Sequence, residues 1–249
     1  TGLDPAVVQL VATTDRAAVG ELLQLDEQID VCIPRGGESL IRAVVEQSRL
    51  PVIKHYTGNC HVYLDAHADP DVAVDIVVNA KTQRTGVCNA AETILFHQDL
   101  IAGGLVQRVG EALIAKDVEL RADTRSMSAL PAAKPAAEAD WSAEYLDLIV
   151  ALRVVDSLDD AVAHINRYGS KHTDAIVSTD ARAIDRFVQT TDTANVMVNC
   201  STRFSDGQQY GLGAEIGIST DKLHARGPMG AADLCTYKWV ARGDGQIRN

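Results

Sequence analysis

Cys88 lies in the run Arg84-Thr85-Gly86-Val87-Cys88-Asn89-Ala90-Ala91-Glu92-Thr93, between a helical and a strand-like stretch. Gly86 permits a tight turn. A thiol on such a turn, beside backbone N–H groups, sits where cysteine pKa values fall and thiolates act as nucleophiles. The competing reading is simple packing, since free cysteine is among the most buried residue types. Cys32 reads as core, and Cys60, Cys200 and Cys235 carry no chemical signal of their own. A second feature is Ile33-Pro34-Arg35-Gly36-Gly37-Glu38-Ser39, a strand, a Gly-Gly turn and a helix start. Open N–H groups at Gly36 and Gly37 can face a phosphate. The run is neither GxGxxG nor a P-loop, so an ordinary βα turn is the alternative. The third feature is the basic patch Lys222-Leu223-His224-Ala225-Arg226-Gly227, with Arg203 in the polar loop before it. Arginine forks match carboxylate and phosphate, and salt bridges to surplus surface carboxylates are the alternative. The seven histidines contain no HExxH and no compact cluster, so no metal site is expected; a turn and a strand separate His55, His61 and His67.

The elements that position these residues alternate in type. Residues 7–11, 29–33, 52–53, 61–64, 93–96, 118–120, 148–154, 173–178 and 195–199 read as strands. Residues 15–23, 39–47, 71–81, 99–115, 156–168 and 180–189 read as helices, with Asp69 and Pro70 opening the third. This β-α-β rhythm predicts an α/β fold with parallel strands and crossover helices. The Ala- and Pro-rich stretch 129–140 reads as a surface loop, and 201–230 as a long polar, Gly-rich irregular segment of the functional or partner-wrapping kind.

The chain has 249 residues, with 46% hydrophobic and 23% charged, enough for a real core in one large domain or two small ones. A net charge of -11, with no basic stretch longer than the short patch at 222–227, makes nucleic acid and anionic membrane poor partners. No apolar run approaches a membrane span. Five cysteines, none as CxxC, fit a reducing cytoplasm better than a disulfide framework. The start lacks Met and shows no leader, which suggests a partial chain.

Several motifs resemble the gamma-glutamyl phosphate reductase family of the aldehyde dehydrogenase superfamily. These are Val77-Val78-Asn79-Ala80-Lys81-Thr82-Gln83-Arg84, the Cys88 run from Gly86 to Thr93, Lys222 through Gly230, Ser201-Thr202-Arg203-Phe204, Tyr210-Gly211-Leu212-Gly213-Ala214-Glu215, and residues 30–37. The similarity runs from about residue 7 to 239. It implies an aldehyde dehydrogenase-like α/β fold: a parallel-sheet catalytic domain over 59–233, the last βα units of a Rossmann-like cofactor domain over 1–58, and a C-terminal oligomerisation arm over 234–249. The family's N-terminal half is then absent from this chain. The implied activity is NADPH-dependent reduction of L-glutamyl 5-phosphate to glutamate 5-semialdehyde and phosphate in proline synthesis, through a thioester on Cys88. Backbone N–H groups around Cys88 would help hold the oxyanion, while the superfamily's oxyanion Asn falls outside the chain. His55, in Val52-Ile53-Lys54-His55-Tyr56-Thr57-Gly58-Asn59, stands where oxidising relatives carry a Glu that activates water. Glu144 matches the carboxylate that holds the nicotinamide ribose, and Gly36 and Gly37 fall to the NADP side. Arg203 and Arg226 suit the substrate anions and are expected to converge near Cys88, while Glu215 or Asp206 suits its ammonium. A homo-oligomer is expected through residues 236–247, read as an edge strand. The alternatives are another thioester-forming aldehyde dehydrogenase with a different acyl donor, or a catalytically silent assembly or regulatory fragment.

Overall fold

Residues 60–198 build a seven-stranded, wholly parallel sheet in the order β4-β3-β5-β2-β1-β6-β7. In this computed structural model, which describes residues 2–248, the strands are β1 (Cys60–Leu64), β2 (Ala91–His97), β3 (Glu119–Ala122), β4 (Lys134–Pro135), β5 (Ile149–Val155), β6 (Thr173–Val177) and β7 (Asn195–Val198). Helices cover both faces, so β1 and β6 are buried at every position, as expected of a parallel sheet with crossover helices. The side-chain period of two divides each central strand between two cores. Val62, Leu64, Ile94 and Phe96 face α3 (Pro70–Thr82) and α4 (Leu105–Ile114). Tyr63 and Leu95 face the other way, toward α6 (Leu158–Tyr168) and α7 (Ala181–Thr190), where Tyr63 stacks on Phe187 at 6.3 Å.

The caps follow sequence chemistry. Asp69 accepts from the N–H groups of Asp71 and Val72, with Pro70 in the first turn of α3. Ser157 caps α6 and Asp180 caps α7. These side chains satisfy helix N–H groups that have no intrahelical partner.

Four readings of the sequence are corrected. Residues 7–11 form no strand: a 3-10 turn at Pro5–Val7 leads into exposed chain, because no neighbouring strand is there to receive it. The strands at 29–33 and 52–53 reduce to a single parallel bridge, Cys32 with Val52. The helix at 99–115 is broken, since Gly104 adopts φ +73° and α4 starts only at Leu105. The loop at 129–140 carries edge strand β4, paired with Arg121 and Ala122. Among the described residues, α1 (Ala17–Leu22) and α2 (Glu38–Gln47) form a small separate core around Leu23, Val44 and Leu50. The irregular stretch after β7 holds one antiparallel pair, β8 (Gly217–Ser219) and β9 (Gly227–Met229). Residues 236–247 are exposed and irregular. The first residue of the expected 1–58 unit and the last of 234–249 lie outside the described residues.

Candidate active site

The site lies where the chain enters four adjacent strands, at their N-terminal ends. The turn before β2 brings Cys88, the segment before β1 brings His55 and Gly58, the residue before β6 is His172, and the segment before β5 brings Glu144. Since the sheet order runs β5-β2-β1-β6, residues distant in sequence become neighbours. One ligating atom each from His55, Cys88 and His172 lie within 4.8 Å of one another. The expectation that the histidines form no compact cluster is therefore corrected. His172 was missed because it sits in a buried strand entry with no motif around it, and only sheet topology carries it to Cys88.

Gly58 explains how the turn is held. A Cβ there would lie 2.0 Å from the Cys88 carbonyl oxygen and 2.3 Å from its Cα, so only glycine lets the two backbones meet. Cys60 Sγ donates to the same carbonyl at 3.1 Å, and Asn89 Nδ2 anchors the turn by donating to Ser205 O at 2.8 Å.

The electrostatics reverse one reading. Cys88 is half-buried, and its thiol is pushed up to about 11 rather than down. Burial is the main cause, the Glu144 and Glu215 carboxylates add to it, and the Cys88 backbone N–H and Arg35 offset only part. The turn's own N–H groups were legible in the sequence; the two carboxylates arrive from other segments. His172, wholly buried, is held neutral with its pKa lowered to about 3 by burial and by His55. The tautomers follow from the partners. Thr173 Oγ1 donates to Ser205 Oγ, so at 2.8 Å it accepts from His172 Nδ1–H, and His172 Nε2 has no partner. His55 Nδ1 donates to the Ile218 carbonyl at 3.0 Å, which leaves its Nε2 lone pair free.

A cavity of about 540 Å³ opens beside His55, walled by Ile33, Arg35, Gly36, Ile53, Glu215 and Ile218. Gly36 and Glu215 thus share one space. Gly37 is the N-cap of α2 and carries no capping side chain, so the first helix N–H groups are open at its rim. A Cβ at Gly36 would strike Leu40 Cδ2 at 2.5 Å. Glu144 accepts from the Gly58 N–H at 2.8 Å through Oε1, and burial raises its pKa. Glu215 Oε2 accepts from the Gly207 N–H at 2.8 Å.

The two arginines do not share a network. Arg203 Nε donates to Gln83 Oε1 at 2.8 Å and lines a separate cavity of about 300 Å³ with Asn79, Asp206 and Gln208. Burial, then Arg84, lowers its pKa, while Asp206 and Cys88 act oppositely. Arg226 instead meets Asp192 at 2.9 Å, a carboxylate it shares with Lys222 and Lys171. Those three cations hold Asp192 well below the usual carboxylate range. The two guanidinium groups expected near Cys88 thus have different partners, Gln83 for Arg203 and Asp192 for Arg226.

No family model matches the chain. Curated gamma-glutamyl phosphate reductases do: that of Geotalea daltonii is 56% identical over 99% of this chain, and that of Rhodopirellula baltica 54% over 99%. The chain spans 59% and 57% of their respective lengths. The crystal structure of gamma-glutamyl phosphate reductase from Thermotoga maritima superposes with a TM-score of 0.93 at 44% identity, covering 97% of this chain and 58% of that one. An acetylating aldehyde dehydrogenase from Geobacillus thermoglucosidasius, at 17% identity and TM-score 0.71, shares the fold over 100% of this chain and 64% of its own. Along nearly its whole length the chain is similar to a part of gamma-glutamyl phosphate reductases, and its fold is aldehyde dehydrogenase-like.

Proposed function

We propose that this chain supplies the thioester-forming machinery for NADPH-dependent reduction of L-glutamyl 5-phosphate to glutamate 5-semialdehyde. The observation that carries the reading is a half-buried thiol, fixed against Gly58, with two imidazoles in reach, one of which lines a cavity. Its setting within 56%-identical relatives named for this reaction supports it.

The thiol is protonated in the resting site, so attack needs an acceptor for its proton. His55 Nε2 is that acceptor, because its Nδ1 is already tied to Ile218. Cys88 Sγ then bonds to the acyl carbon, the carbon–oxygen bond to phosphate breaks, and phosphate leaves. Arg203 offsets negative charge near the thiol during this step. NADPH, when bound, would supply the hydride; Cys88 holds the acyl group as a thioester and is released as a thiol once the aldehyde has formed, His55 returning its proton. At the position where oxidising relatives carry a water-activating Glu this chain has His55, which supports the reductive direction.

The residues present suit the cofactor's polar groups. Gly36 and Gly37 leave open N–H groups at the start of α2 for phosphate, and Glu144 Oε2 is available for a ribose hydroxyl, since Oε1 takes Gly58. Glu215 faces the shared cavity and suits the substrate ammonium. Residues 1–58 serve as cofactor domain, 59–233 as catalytic domain and 234–249 as an arm that pairs subunits. Among the described residues no helix is long and apolar enough to cross a membrane, and we place the enzyme in the cytoplasm. In the longer protein, Cys88→Ser is expected to lose nearly all NADP reduction by glutamate 5-semialdehyde and phosphate while melting normally. Near-normal turnover would reject the reading.

A further inference from the structure

We propose that His55, Cys88 and His172 form a three-ligand site for a soft divalent transition metal, zinc above all, that holds Cys88 as a metal thiolate and silences it. The grouping offers a sulfur and two imidazole nitrogens, with one ligating atom from each inside 4.8 Å of the others. A tetrahedral zinc with bonds of about 2.0–2.3 Å draws such atoms to roughly 3.5 Å apart. His55 and Cys88 are half-buried residues outside regular strands, so they can close the remaining ångström or so.

The buried member of the trio carries an independent sign of a missing partner. His172 is fully buried and its Nε2 bonds to nothing, as do His61 Nε2 and His164 Nε2, but of the three only His172 stands in a group with a thiol and a second imidazole. Its Nδ1–H is tied to Thr173, whose hydroxyl is oriented in turn by Ser205. That relay is how proteins fix a metal-binding imidazole in the right tautomer. His55 repeats the arrangement, with Nδ1–H on a backbone carbonyl and Nε2 left to give.

On binding, the thiol proton passes to solvent and the Zn–S bond forms, so no oxidant or reductant is involved. The cavity beside His55 gives the ion a route in. A metal-bound sulfur shares its negative charge with the ion and attacks an acyl carbon more weakly than a free thiolate, so the site acts as a reversible lock on the nucleophile. That consequence rests on the proposed role of Cys88; binding itself does not.

Cobalt(II) titration of the reduced, full chain tests the site, because a thiolate ligand gives near-ultraviolet charge-transfer absorption and a tetrahedral site intense visible bands. We expect saturation at one equivalent, displacement by zinc, and protection of Cys88 from iodoacetamide by either metal. Cys88→Ser should abolish the charge-transfer band. His172→Gln and His55→Gln should each weaken cobalt binding at least about tenfold, a loss found even for groups that only support a ligand. Near-ultraviolet circular dichroism of each metal-free variant shows that it is folded. No charge-transfer band in the wild-type chain, a band that survives in Cys88→Ser, or unchanged affinity in both folded histidine variants would overturn the proposal. Metal binding together with full turnover in Cys88→Ser would reject only the nucleophile. Absent binding with a dead Cys88→Ser enzyme would reject only the lock.

Discussion

The sheet of residues 60–198 and the segments on either side of it obey different physics. Inside the sheet both faces are filled and buried charges are paired, as with Lys81 and Glu92 at 2.5 Å, each with a wholly buried side chain. Outside it, apolar residues stand in solvent: Val8, Leu10, Tyr237 and Trp239 are all at least 80% exposed. The site sits on the seam, at the N-terminal ends of the central strands. Ligands in open α/β sheets usually gather at the carboxyl ends, so here the crevice is made by what precedes the strands and by the flanking segments. The turn packed against Gly58 holds the sulfur, and the flanking residues 33–36 and 215–218 line the cavity beside His55.

The largest expected effect breaks the sheet side of that contrast. Lys81→Met leaves Glu92 buried without its cation and should cost about 3–5 kcal/mol at pH 8. Burial already pushes Glu92 up to about 7 even with Lys81 to counter it. The cost should therefore shrink toward pH 5, where the lone carboxyl takes up a proton. Adding Glu92→Leu should restore most of the loss; urea titrations at the two pH values check both points.

Gly58→Ala attacks the seam instead. Its Cβ cannot occupy a position 2.0 Å from the Cys88 carbonyl oxygen, so the turn must move by about an ångström. Displacements of that size cost on the order of a hundredfold in rate. Turnover in the longer protein should fall by about that factor while far-ultraviolet circular dichroism stays put.

Acid should find the same seam next. His172 and His164 are held neutral in the fold, their pKa values lowered to about 3 and about 2 by burial first. The unfolded chain takes up protons near pH 6.5 that the folded chain refuses. Stability is thus fully present above pH 6.5 and is lost as pH falls, by up to about 1.4 kcal/mol per unit for each imidazole. Urea midpoints between pH 7.5 and 5 should show this slope, and His172→Gln should remove about half of it.

The smallest effect belongs to the flank. Trp239→Ala touches a side chain 91% exposed and should change stability by less than about 0.5 kcal/mol. If residues 236–247 pair subunits as proposed, deleting from Thr236 onward should lower the molar mass by light scattering. An unchanged mass would remove the arm from the account.

Where local pattern and burial agree, the sequence was legible. Asp69-Pro70 and the apolar spacing that follows mark α3 to within a residue or two, and the strands at Cys60–Leu64 and Thr173–Val177 read as apolar runs between turns. Residues 7–11 misled because β-formers make a strand only beside another strand. Lys134–Pro135 was invisible, since two residues carry no period. At the site, the Gly86 turn, Cys88 and the Gly36-Gly37 turn announced themselves locally. His172, the carboxylates that raise the Cys88 thiol and the capture of Arg226 by Asp192 all depend on sheet order and on pairs far apart in the chain. Neither spacing nor composition records them.

The central claim is that Cys88 carries the acyl group. The most direct test incubates the longer protein with glutamate 5-semialdehyde and NADP in the absence of phosphate, then measures peptide masses. The account predicts a glutamyl adduct on the peptide containing Cys88, released by added phosphate or hydroxylamine and missing from Cys88→Ser. An adduct on another residue, or full turnover with Cys88 unmodified throughout, would contradict it.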